Sequence, residues 1–139
     1  MKRYIKADIT GLNEENYDAL RRIAHDPCTS PRVLAKLSKY PNIREAVARN
    51  SNTSPDVLME IARVAVDERR VGLLDGLANN PSTPLGILQY IFPCCDFWTH
   101  RAIINHPNVG YSALRAMIKS GRLSPGNCKL AKERLKTME

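Results

Sequence analysis

The sequence predicts an all-α solenoid, a stack of about four short helix pairs with a C-terminal capping helix. The main observation is a polar corner that occurs four times, each time between two apolar segments with helical periodicity. If Thr83 is taken as the anchor of one corner, its counterparts are Thr29, Thr53 and Val109. Successive anchors are 24, 30 and 26 residues apart. Self-similarity at such periods is typical of a solenoid, in which each repeat buries its apolar face by stacking on its neighbours.

The same residue types recur at fixed distances from the anchor. Aliphatic residues and alanines stand four, five and eight positions after it, which places them on one face of a helix. They are Val33, Leu34 and Leu37, then Val57, Leu58 and Ile61, then Ile87, Leu88 and Ile91, then Ala113, Leu114 and Met117. Three positions before the anchor stand Asp26, Asn50, Asn80 and His106. Because Asp and Asn satisfy turn backbones readily, these side chains are predicted to brace the corners.

Hydroxyl and proline residues indicate where the second helix of each pair begins. Thr83 precedes Pro84, so we expect Thr83 to cap a helix whose first residue is Pro84. The dipeptides Ser30-Pro31 and Ser54-Pro55 leave two candidate caps in their corners, the serine or the threonine before it. Asp67 is predicted to cap a longer helix that follows it.

We expect one domain in three parts. Residues 1–12 are a lead-in that folds over the first repeat, residues 13–120 contain the repeats, and residues 121–139 form a basic cap. The cap is expected to be polar on its outer side, as terminal repeats of a solenoid must be.

The segment from Ala78 to Leu88 reads Ala-x-Asn-Pro-x-Thr-Pro-x-x-Ile-Leu and resembles the variant leucine-rich repeat, a short-period bacterial helical repeat of the HEAT and armadillo kind. Three copies match well, the Val109 copy is degenerate, and the resemblance covers Leu20 to Met117. It implies a right-handed stack of short helix pairs, some of them 3₁₀, and no enzymatic activity. One member of that family carries an iron–sulphur cluster on a Cys-rich segment before its repeats. This chain has no such segment, so no cofactor is expected.

Composition bounds the class of protein further. No run of about 18 apolar residues is present, and the N-terminus lacks the apolar core of a signal peptide, so the expected location is the cytoplasm. No metal is expected, since the three histidines and four cysteines have no zinc-ligand spacing. The cysteines are predicted to be free thiols: Cys28, Cys94, Cys95 and Cys128.

The function predicted from this pattern is non-catalytic recognition of a protein partner by the extended repeat surface, as an adaptor or a stoichiometric inhibitor. Repeats occupy almost the whole chain, and no nucleophile elbow, phosphate-binding loop or metalloprotease motif occurs. Specificity should lie in exposed positions that differ between copies. The candidate partner-binding residues are His25, Arg44, Arg49, Asn79, Arg101 and Asn105.

The alternative prediction is a nucleic-acid-binding repeat. The net charge is +7, and residues 115–139 contribute seven basic and two acidic residues to it. The candidates for contacts with phosphate or with an acidic surface are Arg115, Arg122, Lys129, Lys132 and Arg134. An aromatic content of 6% argues against base stacking.

Two further features have a structural and a functional interpretation. Asp96 and His100 are four residues apart on a predicted helix, where a surface ion pair is commoner than an oriented catalytic base. Phe97 and Trp98 are predicted to pack in the core or between repeats rather than to form a ligand cage, because large aromatic side chains mostly serve burial.

Overall fold

The computed structural model describes residues 9–139, apart from the side chain of Glu14, and this part of the chain is helical without a β-strand. Two short 3₁₀ helices, Glu14–Asn16 and Phe92–Cys94, accompany the α-helices. The α-helices are α1 (Tyr17–His25), α2 (Pro31–Leu37), α3 (Arg44–Arg49), α4 (Pro55–Asp67), α5 (Val71–Asn79), α6 (Leu85–Ile91), α7 (Phe97–Ile104), α8 (Tyr111–Lys119) and α9 (Pro125–Thr137).

The odd-numbered helices lie side by side in one row. Each of α1, α3, α5 and α7 packs against the next odd-numbered helix, and α9 ends the row. The even-numbered helices pack against this row and, in the case of α4 and α6, against each other. The predicted apolar columns form the core, and the predicted apolar face is confirmed, because the side chains of Leu34, Leu58, Leu88 and Leu114 have no exposed surface. The helices named above confirm the all-α prediction.

The lead-in is described only from residue 9 onward. Ile9 and Leu12 pack against the core, and the hydroxyl of Tyr40 donates to the carbonyl oxygen of Leu12 at 3.3 Å. Residues 1–8 of the predicted lead-in lie outside the described residues.

A side-chain acceptor closes each of the four corners. The Oδ1 atoms of Asp26, Asn50 and Asn80 accept the backbone N–H two residues later at 2.8, 2.9 and 2.9 Å, and Nδ1 of His106 does the same at 3.0 Å. The prediction that the Asp and Asn side chains brace their own turns is confirmed.

The two asparagines also bond to the preceding corner, a contact that the spacing of residues in the sequence does not indicate. Nδ2 of Asn50 donates to the carbonyl oxygens of Ala24 and Asp26 at 2.8 and 2.9 Å. Nδ2 of Asn80 donates to those of Ala48 and Asn50 at 2.8 and 3.0 Å. Both asparagines are buried, so these bonds satisfy carbonyl groups that water cannot reach.

The series continues at His106, whose Nε2 lies 2.7 Å from the carbonyl oxygen of Asn80. Since Nδ1 of His106 accepts the N–H of Asn108, the hydrogen of the neutral ring must be on Nε2. Asp26 begins the series with a carboxylate, which braces its own turn as an acceptor. We call Asp26, Asn50, Asn80 and His106 the corner ladder.

The helix caps differ from the prediction in one corner. Ser30 and Ser54 are the caps of α2 and α4, because their Oγ atoms accept the N–H groups of Val33 and Val57 at 3.3 and 3.4 Å. In the third corner Pro84 itself occupies the cap position, so the expectation that Thr83 caps a helix starting at Pro84 is wrong.

The threonine hydroxyls serve the preceding helix. That of Thr83 donates to the carbonyl oxygen of Leu77 at 2.7 Å, and Thr29 and Thr53 make the equivalent bond. Helices leave their last carbonyl groups without a partner, which explains this use of the hydroxyl. The cap predicted at Asp67 is also wrong: Asp67 is the last residue of α4, and α5 begins after Arg70 without a side-chain cap.

We expect Asn80→Asp to lower the free energy of unfolding by about 3–5 kcal/mol, because it buries a charge without a partner against the carbonyl oxygens of Ala48 and Asn50. His106→Asn keeps one donor and one acceptor in the same column, and a loss below about 1.5 kcal/mol is expected. The measurement is urea unfolding followed by circular dichroism, with Asn105→Asp on the exposed surface as the matched control. An equal loss in Asn80→Asp and Asn105→Asp contradicts the prediction.

Candidate functional site

The corner ladder determines where the opposite ends of the odd-numbered helices lie. Helices α1, α3, α5 and α7 all end at a ladder corner, so their first residues share the opposite edge of the row. At 1.5 Å per residue, helices of six to nine residues place this edge about 9–14 Å from the ladder.

Large apolar side chains are exposed along this edge. Seven such side chains are exposed in the described part of the chain, and four of them occupy the first or second position of an odd-numbered helix. They are Tyr17 at the start of α1, Val71 at the start of α5, and Phe97 and Trp98 at the start of α7. Scattered single residues of this kind are ordinary, whereas these four recur at the starts of three helices in one row. We call these four residues the apolar edge.

Trp98 is the most exposed of the four, at 70%. The carboxylate of Asp96 accepts the N–H of Thr99 at 2.9 Å and thereby starts α7, whose inward face carries Thr99, His100, Ile103 and Ile104. Trp98 precedes this face and points outward. The prediction that Trp98 packs in the core or between repeats is therefore wrong. Its column, counted from the anchor, holds Asp18, Asn42 and Gly72 in the other copies, and that polar column is the sequence signal that indicated an outward position.

Phe97 is less exposed, at 39%, and supports Trp98. The two rings meet edge to face with centroids 5.0 Å apart, a favoured geometry for aromatic pairs. The other side of Phe97 lies beside Gly126 at the start of α9. The packing prediction holds for part of Phe97, and its exposed part extends the surface offered by Trp98.

A recess interrupts the edge between Tyr17 and Val71. Helix α3 has six residues and is the shortest of the odd-numbered helices, so the row is indented where it begins. The recess has a volume of about 530 Å³ and is lined by Tyr17, Pro41, Asn42, Glu45, Arg70, Gly72 and Leu73. It contains one carboxylate and one guanidinium, both about half exposed.

Gly72 leaves room for the Glu45 side chain at the recess. A Cβ atom at this position would lie 2.8 Å from Oε2 of Glu45, closer than side chains approach each other. The glycine therefore lets the Glu45 carboxylate lie over the first turn of α5, whose free N–H groups favour a negative charge.

Five of the six predicted partner-binding residues are exposed, and Arg44 is partly buried. His25, Arg101 and Asn105 are three of the exposed residues. Arg49 binds Asp75 at 2.7 Å and Glu45 at 3.6 Å, and Asn79 donates to both the side chain and the carbonyl oxygen of Asp75.

Arg44 is turned toward its own repeat, where its Nε donates to the carbonyl oxygen of Ser38 at 2.9 Å. The structure thus divides the predicted set: Arg44, Arg49 and Asn79 bond within the chain, while Arg101 lies one helical turn after Trp98.

The basic residues of the C-terminal part are also divided. Arg115, Arg122, Lys129 and Lys132 are exposed. Arg134 reaches back to α7, where its guanidinium donates to the carbonyl oxygen of Ile104. Ile104 occupies the column of Ala24 and Ala48, whose carbonyl oxygens accept the ladder asparagines, so Arg134 takes the place of a ladder amide at the end of the row.

Asp96 and His100 have separate structural partners. His100 is buried, its Nε2 lies 2.8 Å from the carbonyl oxygen of Phe92, and its ring stacks on the Phe92 ring at 4.4 Å. The N–H of Thr99 holds the pKa of Asp96 below its usual range. Within residues 9–139 the two side chains form no ion pair, so the surface pair expected for them is wrong.

All four cysteines are free thiols, as predicted, and two of them are adjacent. Cys94 is exposed, whereas Cys95 donates to the carbonyl oxygen of Ile91 at 3.2 Å. Burial raises the pKa of Cys95 to about 12, with smaller contributions from Cys94, Asp96 and Asp75.

Comparison of the chain with family models, with curated proteins and with solved structures gives no match. Among the residues that the structure describes, no group of three or more His, Cys, Asp and Glu side chains is arranged to hold a metal ion. None of the described helices combines the length and the apolar character needed to cross a bilayer.

Asp96→Ala should lower the free energy of unfolding by about 1 kcal/mol at neutral pH, because α7 loses its cap. The pKa of Asp96 is lower in the folded than in the unfolded chain, so this contribution is present above about pH 4 and is lost as the pH falls through the folded value. Urea unfolding of both proteins at several pH values measures the difference. A gap that stays constant down to about pH 2 contradicts the assignment.

We expect iodoacetamide at about pH 8 to modify Cys28 and Cys94 and to leave Cys95 unmodified, since the thiolate is the reactive form. Tandem mass spectrometry distinguishes the neighbouring residues. The same reaction in urea is the control, and there Cys95 should react as well. Modification of Cys95 at the rate of Cys94 in the folded protein is inconsistent with its burial.

Proposed function

We propose that the chain is a non-catalytic recognition module that binds a protein partner through the apolar edge. We also propose that its helix row is a right-handed α-solenoid of the variant leucine-rich repeat kind. The stacked helix pairs and the corner recurring at 24 to 30 residues support this fold. In such a module the repeats act as a rigid support, and specificity comes from the exposed residues that differ between copies.

The exposure of Trp98 is the observation that carries the proposal. A tryptophan exposed at 70% leaves a large apolar surface in water, and tryptophan and tyrosine are the residues that most often dominate binding energy at protein interfaces. Trp98 is also held in place, since Phe97 packs against it and Asp96 starts its helix. A fixed anchor loses little conformational entropy on binding.

The surroundings of Trp98 match the usual anatomy of an interface. Val71, the equivalent of Phe97 on α5, adds a further exposed apolar side chain, and Arg101 on α7 adds an exposed cation one turn from Trp98. The recess beside Tyr17 can receive a projecting side chain of the partner, with Glu45 and Arg70 available for polar contacts. An apolar centre with a polar rim is the common arrangement.

Trp98→Ala is expected to weaken binding of the partner by at least about 30-fold, which corresponds to the loss of a dominant contact. The partner is first captured from source cells on the unmodified chain, and its affinity for each variant is then measured by calorimetry. Tyr111→Ala on α8 is the matched control, because it removes an aromatic side chain of moderate exposure outside the apolar edge. Both variants should unfold within about 0.5 kcal/mol of the unmodified chain.

Trp98 also provides a direct readout, because it is the only tryptophan of the chain. Its fluorescence emission should shift to shorter wavelength when a partner without tryptophan covers it. Unchanged emission at saturation, or equal affinities for the Trp98→Ala and Tyr111→Ala variants, refutes the apolar edge as the binding surface.

A further inference from the structure

Helix α9 carries three lysines on one exposed face. Lys129, Lys132 and Lys136 are spaced three and four residues apart on a helix of 13 residues, so their side chains project from the same side. At 1.5 Å per residue they span about 10 Å of the helix axis. We call these three residues the lysine stripe.

Within residues 9–139, no ion pair neutralises the positive charge of this region. The described residues contain three ion pairs, and all of them lie between residues 45 and 75. None involves a basic residue of 115–139, a segment with seven basic and two acidic residues and therefore a net charge of +5. Exposed cations without a carboxylate partner remain available to an anion from outside.

The lysine stripe borders a groove. The groove has a volume of about 480 Å³ and is lined by Pro125, Cys128, Lys129, Lys132, Glu133 and Lys136. All six lining residues belong to α9, the last helix of the row. The shape and the charge together fit an elongated polyanion.

Arg134 does not belong to this surface although it lies between two of the lysines in sequence. Its guanidinium is partly buried and bonds to the carbonyl oxygen of Ile104 on α7. Arg134 therefore stabilises the packing of α9 on α7, and the outward positive charge comes from the three lysines. Because Arg134 points away, the lysine stripe is a defined set of three residues and not only a general excess of basic residues.

We propose that the lysine stripe binds the phosphate backbone of a nucleic acid. Lysine is a compact, strongly hydrated charge that contacts phosphate without the fixed geometry of arginine. The groove presents three ammonium groups against the single carboxylate of Glu133, and no amide side chain lines it for reading base edges, so binding is independent of base sequence. This surface is distinct from the apolar edge, and it stands or fails separately from the protein-binding proposal.

The test is fluorescence anisotropy with a labelled single strand of about 20 nucleotides, at salt concentrations from about 50 to 200 mM. The variant Lys129→Glu, Lys132→Glu, Lys136→Glu is compared with Arg32→Glu, Lys36→Glu, Lys39→Glu. The second set lies at the other end of the chain, is equally exposed, and changes the net charge by the same amount. A triple change to glutamine replaces the first variant if charge reversal unfolds α9.

We expect the stripe variant to lose at least about 10-fold in affinity at low salt and the control variant less than about threefold. Removal of about three phosphate contacts should also make the plot of log association constant against log salt concentration less steep, by about 2 in slope. No binding by the unmodified chain at about 50 mM salt overturns the proposal, as does an equal loss in both variants. Binding to vesicles of anionic lipid without binding to nucleic acid also overturns it and identifies a membrane contact.

Discussion

The buried carbonyl groups at the ends of the odd-numbered helices are the constraint on which the rest of the structure depends. A helix leaves its last carbonyl groups without partners, and in a stack of short helices those groups face the next repeat instead of water. Asn50 and Asn80 meet this need with one side chain each, because an amide carries two donor hydrogens and an acceptor oxygen. The oxygen braces the local turn, and the nitrogen bonds to two carbonyl oxygens of the preceding corner.

The same asparagine side chain therefore links the conformation of its own turn to the spacing between neighbouring repeats. The amide of Asn80 can satisfy Ala48 and Asn50 only if α5 lies in one register against α3. Helices α1, α3, α5 and α7 are therefore aligned at the ladder, and differences in their lengths appear at the opposite edge. The short α3 produces the recess there, and the start of α7 carries Trp98 outward. The candidate binding surface is in this sense a consequence of hydrogen bonding at the far end of the same helices.

The chemistry of single corners was predictable from sequence, whereas relations between corners were not. Proline, the capping serines and the apolar positions act within a few residues, so the helices, the core columns and the turn bracing by Asn50 and Asn80 could be predicted. The donors of the same asparagines bond to atoms 24 to 32 residues away, and sequence spacing alone does not supply that register. The prediction for Trp98 is wrong because it rests on the general preference of aromatic residues for burial, whereas the same column of the other repeats indicates an outward position. The hydroxyl of Thr83 had two possible partners of similar strength, and the unsatisfied carbonyl of Leu77 took precedence.

The two ends of the corner ladder differ, because its first member, Asp26, carries a carboxylate. Each later member of the ladder has a hydrogen to donate to the corner before it, but an ionised aspartate has only acceptors. A repeat placed before Asp26 would bring its own carbonyl oxygens close to the Asp26 carboxylate. Repulsion between these oxygens would disfavour that contact. Between Asn50 and Asn80, by contrast, a duplicated repeat ending in asparagine presents the same donors and acceptors on both sides. A duplicated repeat that ends in asparagine would therefore fit between Asn50 and Asn80, whereas Asp26 offers no hydrogen to a repeat placed before it.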